Sequence, residues 1–265
     1  MMAGGPSALP LREAFRIQRR VIGALLMREL STRFGRENFG YLWLFLEPLM
    51  LGGAIGLVHH LSGHGLPGNL NPLVFWVIGY VPYYLLRSVV NRAPSAIFGN
   101  QSLLYHRRIT VLDIMISRNL LECAAVLGTM SVFVLAFGMI FGEWPREMPK
   151  IIIGMTLMLG FAHGLALLIA AGSVYSDLFE RLTHLVTYLS LPLTGAFFML
   201  FWLPTELQQA ALWIPTVHCF ELIRNGQFGT VVPTQYDIGY LLAWIAALNL
   251  LGMAALRRAR RDLVV

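Results

Sequence analysis

The sequence predicts an all-α, polytopic membrane protein, and three observations carry that prediction. Of its 265 residues, 57% are hydrophobic and only 13% charged, whereas a soluble domain averages about 25% charged. The apolar residues fall in blocks of about 20, the helix length that crosses a hydrocarbon layer of ~30 Å. The net charge of +6 is carried almost entirely by arginine, with Lys150 the single lysine. Arginine clusters in alternate connections, which reports topology before it reports an acidic partner. No nucleic-acid partner is implied.

Residues 12–37 open the chain as an interfacial helix. Over 12–27, Arg12, Arg16, Arg19 and Arg20 share one stripe, and Ile17, Val21 and Leu25 the other. Such a helix can lie flat with its arginines against anionic headgroups. Six spans are expected, at 39–58, 72–90, 111–141, 151–173, 182–203 and 238–256. The first contains Glu47-Pro48 and the second Pro82 and Arg87; the long third has Asp113, Arg118 and Glu122 in its first half. Arg118 with Glu122, and Asp177 with Arg181, are spaced i, i+4 and are expected to pair. Gly52 with Gly56, and Gly160 with Gly164, have the small-xxx-small spacing of close helix contacts. Residues 1–38 are polar and arginine-rich, so no cleaved leader is expected. All of this reads as one membrane domain over 1–265.

Orientation follows from arginine in the short connections. The N-terminal segment, the second-to-third link (Arg92, Arg107, Arg108) and the tail (Arg257, Arg258, Arg260, Arg261) hold nearly all of it. The opposite loops hold only Arg146, Lys150 and Arg224, so both termini should be cytoplasmic. Cys123 and Cys219 then lie toward opposite faces and should not form a disulfide. The 93–108 link begins after Pro94, a residue tolerated in a helix's first turn. It mixes apolar Ile97, Phe98 and Leu104 with polar Gln101, His106, Arg107 and Arg108, a composition closer to a protein interface than to a solvated loop. Residues 204–236 form a long outer segment punctuated by Pro204, Pro215, Gly226 and Pro233. Its apolar pieces are too short to span and read as re-entrant or interfacial helices.

The chain has no G-x-x-x-x-G-K-[ST] run, so it has no phosphate loop of its own. It also lacks H-E-x-x-H, G-x-S-x-G and a zinc-type cysteine cluster. His59, His60 and His64 read as a solvated outer group, and His163 and His184 as packed or partnered. Two patterns suggest a path for polar cargo. In the second span Trp76, Tyr80, Tyr83, Tyr84 and Arg87 recur at helical spacing, and in the fifth His184, Tyr188, Phe198 and Trp202 are expected to make a parallel stripe. Tyrosine and tryptophan offer a flat apolar face with a hydrogen-bonding edge, which complements a sugar ring. Arg28, Arg33 and Arg36, with Tyr41 and Trp43 just inside, stand where the chain enters the first span. Their guanidinium groups suit bidentate pairing with phosphate or carboxylate.

The run Arg28-Glu29 … Thr32-Arg33-Phe34-Gly35 … Gly40-Tyr41-Leu42-Trp43 … Glu47-Pro48 resembles the start of the membrane (permease) subunits of ABC-2 type polysaccharide exporters, especially those of bacterial capsular polysaccharide export. The resemblance implies the ABC-2, or type V exporter-like, architecture and a non-catalytic homodimer in the bacterial inner membrane. It implies two ATP-binding subunits that hold ATP and magnesium, and no cofactor in this chain. It implies a lipid-linked, acidic polysaccharide moved from cytoplasm to periplasm, with a periplasmic co-polymerase or adaptor and an outer-membrane export protein as further partners. It also makes 93–108 the segment that docks on the ATPase. The same family includes exporters of O-antigen and teichoic acid, and an ABC-2 drug or lipid exporter is the rival within the class. An intramembrane glycan or lipid transferase would need converging acid-base groups, and Asp113, Glu122, His163 and His184 are scattered.

Overall fold

A computed structural model describes residues 11–34, 40–62, 66–68, 70–104, 109–176 and 178–262. Among them there is no strand. In chain order the helices are α1 (Leu11–Phe34), α2 (Gly40–Leu61), α3 (Pro72–Asn91), α4 (Ser95–Phe98), α5 (Gln101–Leu104), α6 (Val111–Phe141), α7 (Met148–Ser173), α8 (Leu178–Ser190), α9 (Thr205–Ala211), α10 (Pro215–Phe228) and α11 (Ile238–Asp262). Four of them, α3, α6, α7 and α11, are long and apolar enough to cross a membrane.

The bundle is organised around α3. Asn71 caps it, accepting from the Leu73 N–H at 3.0 Å, and Pro72 fills the first turn, where a missing N–H costs nothing. Every residue from Val77 to Val90 is buried, because α2, α6, α7, α8 and α10 all pack on it. Pro82 withdraws one donor from the middle of α3, a loss that neighbouring helices make tolerable at this depth. Contact with α2 is close because Gly52 faces the Tyr80 ring and Gly56 faces Leu73. On the other side α7 and α11 form the most extensive pair. Gly164 lies where a β-carbon would come within 2.7 Å of Leu248 Cβ. Asn249 Nδ2 donates to Gly160 O at 3.0 Å. In hydrocarbon, where apolar burial drives little, such small-residue packing and interhelical hydrogen bonds do the joining.

The long α6 starts with a reciprocal cap. Thr110 Oγ1 accepts from the Asp113 N–H at 3.2 Å, and Asp113 Oδ2 accepts from the Thr110 N–H at 2.9 Å. It stops at Gly142, whose φ of 72° only glycine adopts without strain.

The block at 182–203 differs from the single helix expected there. α8 ends at Ser190, a short 3-10 turn covers Leu191–Leu193, and a second covers Leu200–Trp202. Pro192 cannot donate to the preceding turn, and Gly195 takes a φ of +93°, so the helix cannot continue. The 204–236 segment folds as α9 and α10. Its Arg224, expected among the charges of the outer loops, is instead fully interior, with 1% of its surface exposed.

Candidate functional site

Polar groups inside this apolar bundle gather in three places. At the end where α1 lies, α1, α3 and α6 share a network. Arg118 Nε donates to Glu29 Oε1 at 3.0 Å, and Arg92 Nε pairs with Glu122 Oε1 at 3.0 Å. Gln18 Nε2 donates to Asp113 Oδ1, and Arg28 Nη1 donates to Asn100 Oδ1 at 2.9 Å. The i, i+4 pairing of Arg118 with Glu122 is therefore not formed. Each residue pairs with a different neighbouring helix, and this ties three elements together where an i, i+4 pair would have stayed on α6 alone. Asp177 lies outside the described residues.

Arg28 is exposed and reaches toward the α4–α5 segment. Arg36 lies outside the described residues, as do the side chains of Arg33, Tyr41 and Trp43. In the 93–108 link, Ile97 is fully buried and Phe98 is 46% exposed. Ile97 is thus an anchor in the core and not a docking contact, because α4 presents alternate sides to the bundle and to its surroundings. The side chains of Gln101 and Leu104, and all of His106, Arg107 and Arg108, lie outside the described residues.

The second cluster joins α2, α3 and α8. Arg87 Nη2 donates to Glu47 Oε1 at 2.8 Å and Nη1 to the Tyr188 hydroxyl at 3.0 Å. The Tyr84 hydroxyl donates to Glu47 Oε2 at 2.9 Å. The guanidinium carbon lies 5.2 Å from the centre of the Tyr84 ring and 5.3 Å from that of Tyr188, within cation–π range of both. Tyr83 donates to Thr187 O, and Tyr80 packs beside Tyr83 and Tyr84. These three tyrosines are buried within the protomer, so α3 does not present them as an open wall. The cluster reaches the surface through Glu47 and Tyr188; the Tyr188 residue is 58% exposed.

The parallel stripe expected on the fifth block is not formed, because a stripe needs an unbroken helix. His184 and Tyr188 are exposed on α8. Phe198 packs with Leu200, Ala211 and Val217, and Trp202 packs against Phe75 in a tilted arrangement with ring centres 4.7 Å apart. Trp76 meets Phe75, Phe197 and the His59 ring, the last at 4.2 Å. His59 is therefore packed rather than solvated. His163 Nδ1 shares a hydrogen bond with Asn119 Nδ2 at 2.6 Å. Both cysteines are free, and no group among the described residues is arranged to hold a metal ion.

The third cluster is centred on α10. Arg224 donates to Gly195 O at 2.7 Å, to Ala196 O at 2.6 Å and to Phe198 O. Its guanidinium carbon lies 4.4 Å from the Phe75 ring centre. Thr216 Oγ1 donates to Thr194 O at 2.9 Å, and Glu221 accepts from the Leu200 N–H at 3.2 Å. The broken stretch 194–200 thus has the carbonyls of Thr194, Gly195, Ala196 and Phe198 and the Leu200 N–H satisfied by α10. Sequence reasoning missed this role. The signal was Glu221 and Arg224, three apart and interleaved with apolar Phe220, Leu222 and Ile223.

No protein-family model matches the chain. It is 38% identical over 249 residues, 93% of each chain, to the capsule polysaccharide export inner-membrane protein BexB of Haemophilus influenzae. It is 38% identical over 249 residues, again 93% of each, to the capsule polysaccharide export inner-membrane protein CtrC of Neisseria meningitidis serogroup A. It is 28% identical over 253 residues, 93% of this chain and 96% of the other, to the polysialic acid transport protein KpsM of Escherichia coli. Similarity at this level, running nearly end to end through an all-helical chain with apolar spans, shows that the chain belongs to the family of capsule polysaccharide export inner-membrane proteins.

Proposed function

We propose that this chain is the permease subunit of an ATP-driven exporter that moves a lipid-linked, acidic capsular polysaccharide from cytoplasm to periplasm. The observation that carries the reading is the near-full-length similarity to named capsule export proteins. Two copies of the chain would form the path, with α2 and the broken α8 unit completing six crossings per copy and both termini in the cytoplasm. The work would come from two separate ATP-binding subunits carrying ATP and magnesium, since this sequence has no phosphate loop. A periplasmic adaptor and an outer-membrane export protein would take the chain onward. Arg33 and Arg36 remain the candidates for meeting the substrate's anionic groups. Arg28, bonded to Asn100, is better placed to couple α1 to the α4–α5 segment.

Exposed Phe98, held out by its buried neighbours Ala96 and Ile97, supports the 93–108 segment as the ATPase contact. Two experiments test the reading. The chain purified with its ATPase should hydrolyse ATP faster when lipid-linked acidic glycan is added, and loss of the chain should abolish surface polysaccharide. A Phe98→Asp variant should insert normally but release the ATPase or uncouple hydrolysis from export. Retained ATPase and normal export would remove the coupling assignment.

A further inference from the structure

The Glu47–Arg87 cluster is built like a receptor for a carboxylate that already contains one. Its donors are fixed. Arg87 and Tyr84 are buried on α3, and the guanidinium is flanked by the Tyr84 and Tyr188 rings, which leaves its edge toward Glu47. Its acceptor is not fixed in the same way. The Glu47 side chain stands on another helix, 47% exposed, while that of Arg87 is 10% exposed. Both Glu47 oxygens are taken, one by Nη2 of Arg87 and one by the Tyr84 hydroxyl. A carboxylate arriving from outside would find the same two donors at the same spacing.

We infer that this cluster is an exchange site for a sugar carboxylate of the exported glycan, which displaces the Glu47 carboxylate from Arg87 and is displaced by it in turn. The inference rests on the permease reading above. Its physical basis is that a buried guanidinium with no partner is costly, whichever anion is absent. A bare Arg87 would therefore hold a passing carboxylate too tightly, and transport needs binding that is also easy to leave. With Glu47 resident, Arg87 is paired before and after each sugar passes. Binding and release then become a swap between near-equivalent charge-assisted pairs.

The test uses the full chain in lipid nanodiscs with two probes, a glucuronate-containing oligosaccharide and its carboxyl-reduced, uncharged counterpart. Glu47→Gln keeps the side chain's shape and removes the competing charge. It should bind the charged probe about tenfold tighter than the wild type and the uncharged probe no differently. Glu47→Asp, whose carboxylate is one methylene short, should give a smaller tightening and covers the case in which the glutamine variant does not fold. A double variant, Glu47→Arg with Arg87→Glu, restores an ion pair with reversed polarity. Export should be lost in it, because the fixed position no longer attracts a carboxylate. Unchanged affinity in both single variants, or export restored by the double variant, overturns the exchange site. Failure of the wild-type chain to restore surface polysaccharide to a strain lacking it would overturn the permease reading instead.

Discussion

Arg87 and Arg224 are the same side chain in similar surroundings, each interior and each against aromatic rings. They differ in what receives their hydrogen bonds. Arg224 donates to three main-chain carbonyls in one short stretch, from Gly195 to Phe198. Those acceptors cannot leave without unfolding the segment. Arg87 donates to a half-exposed glutamate on another helix and to an exposed tyrosine hydroxyl, both of which can turn away on their own side-chain torsions. A buried cation held by backbone is a structural rivet, and one held by mobile side chains is available for business with a ligand.

The largest effect should come from breaking the first of these. Arg224→Leu leaves three interior carbonyls without a donor, at about 1–3 kcal/mol each, against a total stability of about 5–15 kcal/mol. We expect loss of monodisperse protein on size-exclusion chromatography after detergent extraction. A sharper variant leaves both charges alone. Gly79 lies against the carbonyl of Ala196, so Gly79→Ala pushes on the segment that Arg224 holds. Overpacking of this kind costs about 1–3 kcal/mol, and the purified chain should unfold at a lower temperature while still assembling. The smallest structural effect is expected at the other arginine. Arg87→Lys keeps the charge and loses the planar fork, so thermal stability should stay near that of the wild type while capsule export falls about tenfold. If Arg87→Lys destabilises the chain as much as Arg224→Leu does, the two arginines do the same work and the contrast fails.

Much of the helical framework was readable because its signals are local. The apolar blocks at 72–90 and 111–141 fall on α3 and α6. The glycines of α2 and α7 gave their close contacts by spacing alone. The site was less readable because its partners come from distant sequence. Arg87 could be singled out as a charge in an apolar block, but nothing local shows that Glu47 and Tyr188 converge on it. Arg118 and Glu122 satisfied an i, i+4 rule that better-placed partners on α1 and α3 override. The break after Ser190 was signalled by Pro192 and Gly195, yet the apolar run through Trp202 outweighed them in a hydropathy reading. Arg224 was misjudged for the same reason, since only the fold supplies the carbonyls that make its burial tolerable.

The capped helix α6 has a mechanical consequence. At 31 residues it is a rod of about 46 Å, well beyond the ~30 Å of hydrocarbon. Its first half carries Asp113, Arg118 and Glu122, the residues tied to α1 and to the end of α3. It is therefore a lever gripped at one end. A tilt of about 5° at the gripped end swings the far end by about 4 Å. The same tilt given to α8 goes no further than Ser190, where that rod is interrupted. Force applied beside α1 should thus travel across the protein along α6, a distance the interrupted α8 cannot carry it.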